Sequence, residues 1–266
     1  NINEQVAYAA TATATDSDIP TNALTFALVS GPGGLTVSPA GAISWTPAEN
    51  QGPSTNTVTI SVTDTNSFAV NAKSLSVTNS YQIVVSEVNV APVLPTQTNL
   101  VISEGATLSV TNTATDSDIP TNALTYVLLA PPGAATISTN GIITWVTTES
   151  DGPGTNTFTT KVADSGSPSL SATNTFTVVV NEVNSAPVLG TLTNWTVNAG
   201  QTVGFTTAVA DSDIPTNTLT FSLVSPPAGA SIYSASGLFN WRPAASQAST
   251  TNIVQVQVTD FNPYAV

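Results

Sequence analysis

The stretch ATDSDIPTNALTF at residues 14–26 returns as ATDSDIPTNALTY at 114–126 and as VADSDIPTNTLTF at 209–221. Three copies set a period of roughly 95–100 residues, too long for a propeller blade or a solenoid coil and suited to a whole small domain. Outward from this stretch the other landmarks repeat in order. A Gly-x-(Ile/Phe)-x-Trp unit ends at Trp45, Trp145 and Trp241, and an alternating segment ends at Asp64, Asp164 and Asp260. The first two copies close with YQIVVSEVNVAPVL and FTVVVNEVNSAPVL.

Alternation of apolar and polar residues between turn signals predicts about seven short strands per copy. In the second copy they fall at 100–102, 107–115, 124–129, 135–137, 142–145, 155–163 and 171–180. That number and length match an Ig-like sandwich, and the expected fold is all-β, a tandem of seven-stranded Greek-key β-sandwiches. The expected domains are 1–89, 90–184 and 185–266, the first without its leading strand and the third without its closing one. The expectation is a piece cut from a longer secreted array. Trp45, Trp145 and Trp241 hold one equivalent position and are expected to plug the cores. Gly31-Pro32-Gly33-Gly34 reads as a turn.

Composition narrows the function. Charged residues make up 7% of the chain, against about 25% in an average soluble domain. Three basic residues, Lys73, Lys161 and Arg242, face sixteen acidic ones, for a net charge of −13. Such a chain repels nucleic acid and anionic membrane and attracts cations. With no His and no Cys, disulfides, the usual zinc sites, Ser-His-Asp triads and Cys-His pairs are all excluded. No P-loop or dinucleotide fingerprint occurs, and no apolar run is long enough to span a membrane. The chain reads as a non-enzyme.

The acids are not scattered. Fifteen of the sixteen lie at positions that recur between copies, Asp151 being the exception. Asp-Ser-Asp-Ile-Pro is by itself a good turn, because Asp side chains bond nearby amides. A recurring Glu, a recurring Glu-x-Asn and a later recurring Asp are beyond what a turn needs.

Ala-Thr-Asp-Ser-Asp resembles the A-x-D-x-D element of cadherin repeats, and KVADSGSPSLSATNTFTVVVNEVNSAPVL at 161–189 resembles their ending. The Gly-x-Ile-x-Trp-x-Pro stretch is similar to dystroglycan-type cadherin and bacterial Ig-like repeats. This resemblance implies cadherin-like modules, outside the cell, with calcium between successive modules. It implies Glu4, Glu49, Glu87, Asn89, Asp116, Asp118 and Asp164 as ligands at a first junction. Glu104, Glu149, Glu182, Asn184, Asp211, Asp213 and Asp260 follow at a second, and Asp16, Asp18 and Asp64 would face a preceding module. Calcium takes six to eight hard oxygen ligands in irregular geometry, which suits such sets. The linkers depart from the cadherin form, since no Asp follows Asn89 or Asn184. In the third copy Ala199 and Ala245 replace the two glutamates, so its lower junction is expected to bind calcium poorly.

The implied function is a structural or adhesive segment of a bacterial surface protein, a stalk, adhesin or fibre stiffened by calcium, whose partners are calcium and neighbouring or self-associating modules. A homopolymeric extracellular filament subunit is the first alternative. The second is a carbohydrate-binding or spacer module of a secreted hydrolase, with a glycan ligand. It needs an exposed aromatic platform, for which Trp195, Tyr233, Phe261 and Tyr264 are the candidates and packing the expected role. Asn194-Trp195-Thr196 is the one N-x-T sequon.

Overall fold

The computed structural model describes residues 1–265. The chain is all-β, with seven strands in each sequence repeat and a short 3-10 turn at Glu49–Gln51, Glu149–Asp151 and Ala245–Gln247. It divides into two compact units: Asn1–Pro95 with Thr113–Tyr126 and Lys161–Thr173, and Thr96–Asn112 with Val127–Thr160 and residues from Asn174 on.

In the first repeat one sheet has the order Ile2–Asn3, Ser74–Ser86, Ser54–Thr65, Ala23–Ser30, and the other Tyr8–Thr11, Ala42–Trp45, Thr36–Val37. The second repeat reproduces the first order with Leu100–Ser103, Ser171–Asn181, Gly154–Ala163 and Thr125–Leu129. The leading strand in each is parallel to the closing one, Ile2 opposite Val85 and Leu100 opposite Val178. The other pairings are antiparallel: Ser54–Thr65 meets its chain neighbour Ser74–Ser86, whereas Ala23–Ser30 reaches Ser54–Thr65 and Tyr8–Thr11 reaches Ala42–Trp45 across intervening strands. The expected strands lie nearly where alternation placed them. One does not. The strand expected over 107–115 ends at Thr111, because the Asn112 side chain turns inward and bonds Thr160 Oγ1 at 2.8 Å and Asn174 Oδ1 at 2.9 Å. The backbone then changes partner, and Thr115 exchanges two hydrogen bonds with Val93, at 2.7 and 2.9 Å.

Three tryptophans fill the cores. Trp45, Trp145 and Trp241 are 3%, 1% and 8% exposed. Each follows a turn glycine at positive φ, Gly41, Gly141 and Gly237. At Gly41 a Cβ would come 2.5 Å from the Ala12 carbonyl oxygen, so the approach itself demands glycine. Around Trp145 pack Ile143, Phe158, Phe176, Val178 and Val180. The Trp145 ring meets Phe158 edge-on at 5.5 Å, and Phe158 stacks on Phe176 at 5.2 Å. The Trp45 and Trp241 indoles also donate to turn carbonyls, of Gly33 and Ala228, each at 3.1 Å. The Gly31-Pro32-Gly33-Gly34 segment is a turn closed by Leu35 N donating to Pro32 O.

Candidate metal centres

Each candidate centre is built on the ends of strands. In the first, the strand Ile2–Asn3 delivers Glu4, the 3-10 turn carries Glu49, and the closing strand runs on into Glu87. Glu4 is 2% exposed. One of its oxygens, Oε1, accepts from Val88 N at 2.8 Å, which ties it to the linker. The second centre repeats this: Glu104 is 8% and Glu182 1% exposed, and Glu104 Oε1 accepts from Val183 N at 2.8 Å. Ligand atoms of Glu4, Glu49 and Glu87 lie within 4.8 Å of one another, as do those of Glu104, Glu149 and Glu182.

Two glycines make these buried glutamates fit. A Cβ on Gly52 would stand 2.5 Å from Glu4 Oε2, and one on Gly152 2.7 Å from Glu104 Oε2. The third repeat has Ala248 at the corresponding place and Ala199 where the glutamate would be. Acid and glycine are lost together, as one steric unit.

The Asp-Ser-Asp elements make the turn that their sequence suggested, and in the second and third repeats they also hold the linker. The first Asp makes the turn, with Asp116 Oδ1 accepting from Asp118 N at 3.1 Å and Asp211 Oδ1 from Asp213 N at 3.0 Å. The second Asp grips the linker. Asp118 accepts Val90 N on both oxygens at 3.1 and 3.2 Å, and Asp213 accepts Ser185 N on both at 3.1 Å. Asp118 and Asp213 are 1% and 2% exposed.

The linker asparagines bridge to the later aspartates. Asn89 Nδ2 donates to Asp164 Oδ2 at 3.0 Å, and Asn184 Nδ2 to Asp260 Oδ2 at 2.6 Å. A residue that the sequence reading passed over completes this net. Asn122 donates to Asn89 Oδ1 at 2.8 Å and to Asp118 Oδ2 at 2.6 Å, and Asn217 contacts Asn184 and Asp213 in the same way. Asn122 and Asn217 sit in the repeated DIPTN stretch, and Gly52 and Gly152, passed over likewise, matter because of the glutamates that stand against them.

Among the described residues, Asp211, Asp213 and Asp260 form another close acidic triple, and so do Asp16, Asp18 and Asp64. Their counterparts Asp116, Asp118 and Asp164 do not reach that closeness. Asp164 is buried, which opposes its charge, yet its carboxyl is held below the usual range. Leu170 N, Asn89 Nδ2, Gly166 N and Ser169 bring the stabilising hydrogen bonds. Asp151, the acid that did not recur, has a local task. It accepts from Thr148 N at 2.7 Å, as Gln51 and Gln247 accept from Ala48 N and Ala244 N at 2.8 Å.

Several carboxylate oxygens have no such task. Glu4 Oε2, Glu49 Oε1, both oxygens of Glu87 and Asp116 Oδ2 are buried with no hydrogen-bond partner. At the second centre the same holds for Glu104 Oε2, Glu182 Oε2 and Asp211 Oδ2. Burial, then the charges of Glu4 and Glu49, push the Glu87 carboxyl up to about 7. Burial raises that of Glu104 also, with Glu182 and Glu149 adding to it. Two full charges 4.8 Å apart repel by roughly 3 kcal/mol at an effective dielectric of about 20. A hard divalent cation would take up these oxygens and reverse that repulsion. The donor set is all oxygen, as calcium prefers.

The four candidate platform aromatics are exposed: Trp195 by 58%, Tyr233 by 71%, Phe261 by 67% and Tyr264 by 53%. Only Trp195 carries a ring contact that explains its place, stacking parallel to Phe205 at 6.3 Å.

Residues 89–181 match the family model described as "Bacterial Ig domain", and residues 1–86 match the one described as "Putative Ig domain". Comparison with curated proteins finds no match. Among solved structures, mouse Cadherin-23 EC22-24 is similar with a TM-score of 0.50 at 21% identity, over 92% of this chain and 83% of that one. Human CDH23 EC21-23 gives 0.52 at 18% identity, over 93% and 86%. The Protocadherin GammaB4 extracellular domain gives 0.43 at 21% identity over 90% of this chain, which spans 43% of that longer one. Residues 1–86 and 89–181 are thus similar to Ig-like domain families, and the fold of the chain is that of cadherin extracellular domains.

Proposed function

We propose that this chain is a non-catalytic structural or adhesive segment of a surface protein outside the cell, made of modules 1–89, 90–184 and 185–266 and stiffened by calcium at the module junctions. The observation that carries this is the pair of matching sets of buried carboxylate oxygens without hydrogen-bond partners, on Glu4, Glu49, Glu87 and Asp116 and on Glu104, Glu182 and Asp211. At the first junction Glu4, Glu49, Glu87 and Asp116 would hold the ion, with Asp118, Asp164 and Asn89 around it. At the second, Glu104, Glu149, Glu182 and Asp211 would do so, with Asp213, Asp260 and Asn184. Calcium when bound would supply the positive charge that cross-links oxygens from successive modules. The protein's own part is to bury the glutamates, orient them through Val88 N and Val183 N, and fix the linkers on Asp118 and Asp213.

The test is calcium titration followed by calorimetry and small-angle scattering, with EDTA as the contrast. Extracellular calcium modules bind at about 10⁻⁴–10⁻³ M. A hundredfold excess over such a dissociation constant stabilises the folded state by about 2.7 kcal/mol. The expected outcome is a higher melting temperature and a narrower scattering ensemble in calcium. Identical melting and scattering in calcium and in EDTA would overturn the reading.

A further inference from the structure

The two candidate centres match at most positions and part at one. Glu4 Oε2 and Glu104 Oε2 are alike in being buried without a partner, and so are Asp116 Oδ2 and Asp211 Oδ2. Glu49 and Glu149 each carry one donor, Gln5 Nε2 and Ile214 N. The linker glutamates break the match. Glu87 has both oxygens buried without a hydrogen-bond partner, whereas in Glu182 only Oε2 is so placed. Glu182 Oε1 accepts from Asn262 Nδ2 at 3.0 Å.

This difference traces to one position of the repeat. Asn262 follows Asp260 by two residues, as Asn66 follows Asp64, but Gly166 stands in that place after Asp164. The two asparagines are held alike. Each accepts from the amide two residues on, Phe68 N and Tyr264 N, at 3.0 Å. Each turns Nδ2 toward the second Asp of its own DSD element, Asp18 at 3.1 Å and Asp213 at 3.5 Å. From that seat Asn262 also reaches Glu182. Gly166 has no side chain, and the linker Asn89 takes the space, so that a Cβ on Gly166 would fall on the Asn89 side chain. Asn89 Nδ2 is engaged with Asp164 Oδ2 and the Pro168 carbonyl, at 3.0 and 2.9 Å, and so does not serve Glu87.

A divalent ion would therefore meet different carboxylates at the two centres. Glu87 can offer both oxygens, a bidentate mode that calcium accepts. Glu182 can offer Oε2 alone, or both oxygens only after Asn262 has been displaced. A hydrogen bond to a charged group is among the stronger ones, so displacing it weakens the hold on the ion. The same donor shares the charge of Glu182 when no ion is bound. We infer that the two centres load in order: the first takes calcium at about tenfold lower concentration than the second, and Asn262 is the residue that sets the gap. This rests on the calcium reading and adds to it a division of labour. Over that interval of calcium the first centre is held by the ion and the second by its own hydrogen bonds.

The test is a calcium titration of the full 266-residue protein followed by NMR. The Val88 and Val90 amides, bonded to Glu4 and Asp118, report on the first centre. Those of Val183 and Ser185, bonded to Glu104 and Asp213, report on the second. The first pair should reach its midpoint at about tenfold less calcium than the second. Asn262→Ala should bring the second midpoint down toward the first and leave the first where it was. In EDTA the same variant should lower the melting temperature, because Glu182 loses its donor. Coincident midpoints, or a second centre that loads first, overturn the inference and leave the calcium reading standing. So does a second midpoint that Asn262→Ala leaves in place, or a melting temperature in EDTA that it leaves unchanged. Should the Asn262→Ala chain fail to fold, the order of the two midpoints in the parent protein decides alone. No shift at either pair overturns the calcium reading, and the inference with it.

Discussion

Glu4 and Gly52 share one space: a Cβ on Gly52 would lie 2.5 Å from Glu4 Oε2. The corresponding relationship joins Glu104 to Gly152, at 2.7 Å. A buried carboxylate can point an oxygen inward here only because the residue across from it has no side chain. Gly152→Ala should therefore push Glu104 out of place and destabilise the protein by roughly 1–3 kcal/mol, as overpacking does. Denaturant melts with and without calcium measure this, and the calcium response should shrink in the variant.

Glu87 tests the balance of repulsion and binding. Both of its oxygens are buried without a partner, beside Glu4 and Glu49. Glu87→Gln removes one charge from the cluster and one ligand from the ion. Its melting temperature should exceed that of the parent in EDTA and fall below it in calcium. A change of the same sign in both buffers would count against a metal centre.

The metal-free protein should also respond to pH in a defined window. The Glu87 carboxyl rises in the folded state from 4.5 to about 7, so between those values the folded chain holds more protons than the unfolded one. By linkage, that stabilisation is complete below about 4.5 and is lost as pH rises through about 7. Calorimetry in EDTA should find a higher melting temperature at pH 5.5 than at pH 8, and Glu87→Gln should flatten the difference.

The tryptophans divide by position. Trp145, 1% exposed against Phe158, should cost about 3–5 kcal/mol when replaced by Ala. Trp195, 58% exposed, should cost about 1 kcal/mol or less, the share of one stacked ring. Urea unfolding of the two variants makes the comparison.

Much of this was legible in the repeats. Seven strands per copy, the buried Trp45, Trp145 and Trp241, and the Asp-Ser-Asp turns all follow from local alternation and turn chemistry, which act over a few residues. The grouping of Glu4 with Glu49 and Glu87 came from the cadherin resemblance, since no local rule places residues so distant together. Asn122, Asn217, Gly52 and Gly152 were overlooked because their roles depend on what stands opposite them. So does the early end of the strand at Thr111, where buried Asn112 finds partners on two other strands.

The sequence by itself determined the all-β class, the repeat and the acidic positions, because these rest on periodicity, turn-forming residues and a count of charges. Tertiary structure alone decided what each position does. Asp18 and Asp118 lie in identical stretches, yet one is exposed and the other 1% exposed. The physical reason is that burial belongs to the segment folded across a residue, here Val90 to Val93, and not to the residue's own neighbours in the chain.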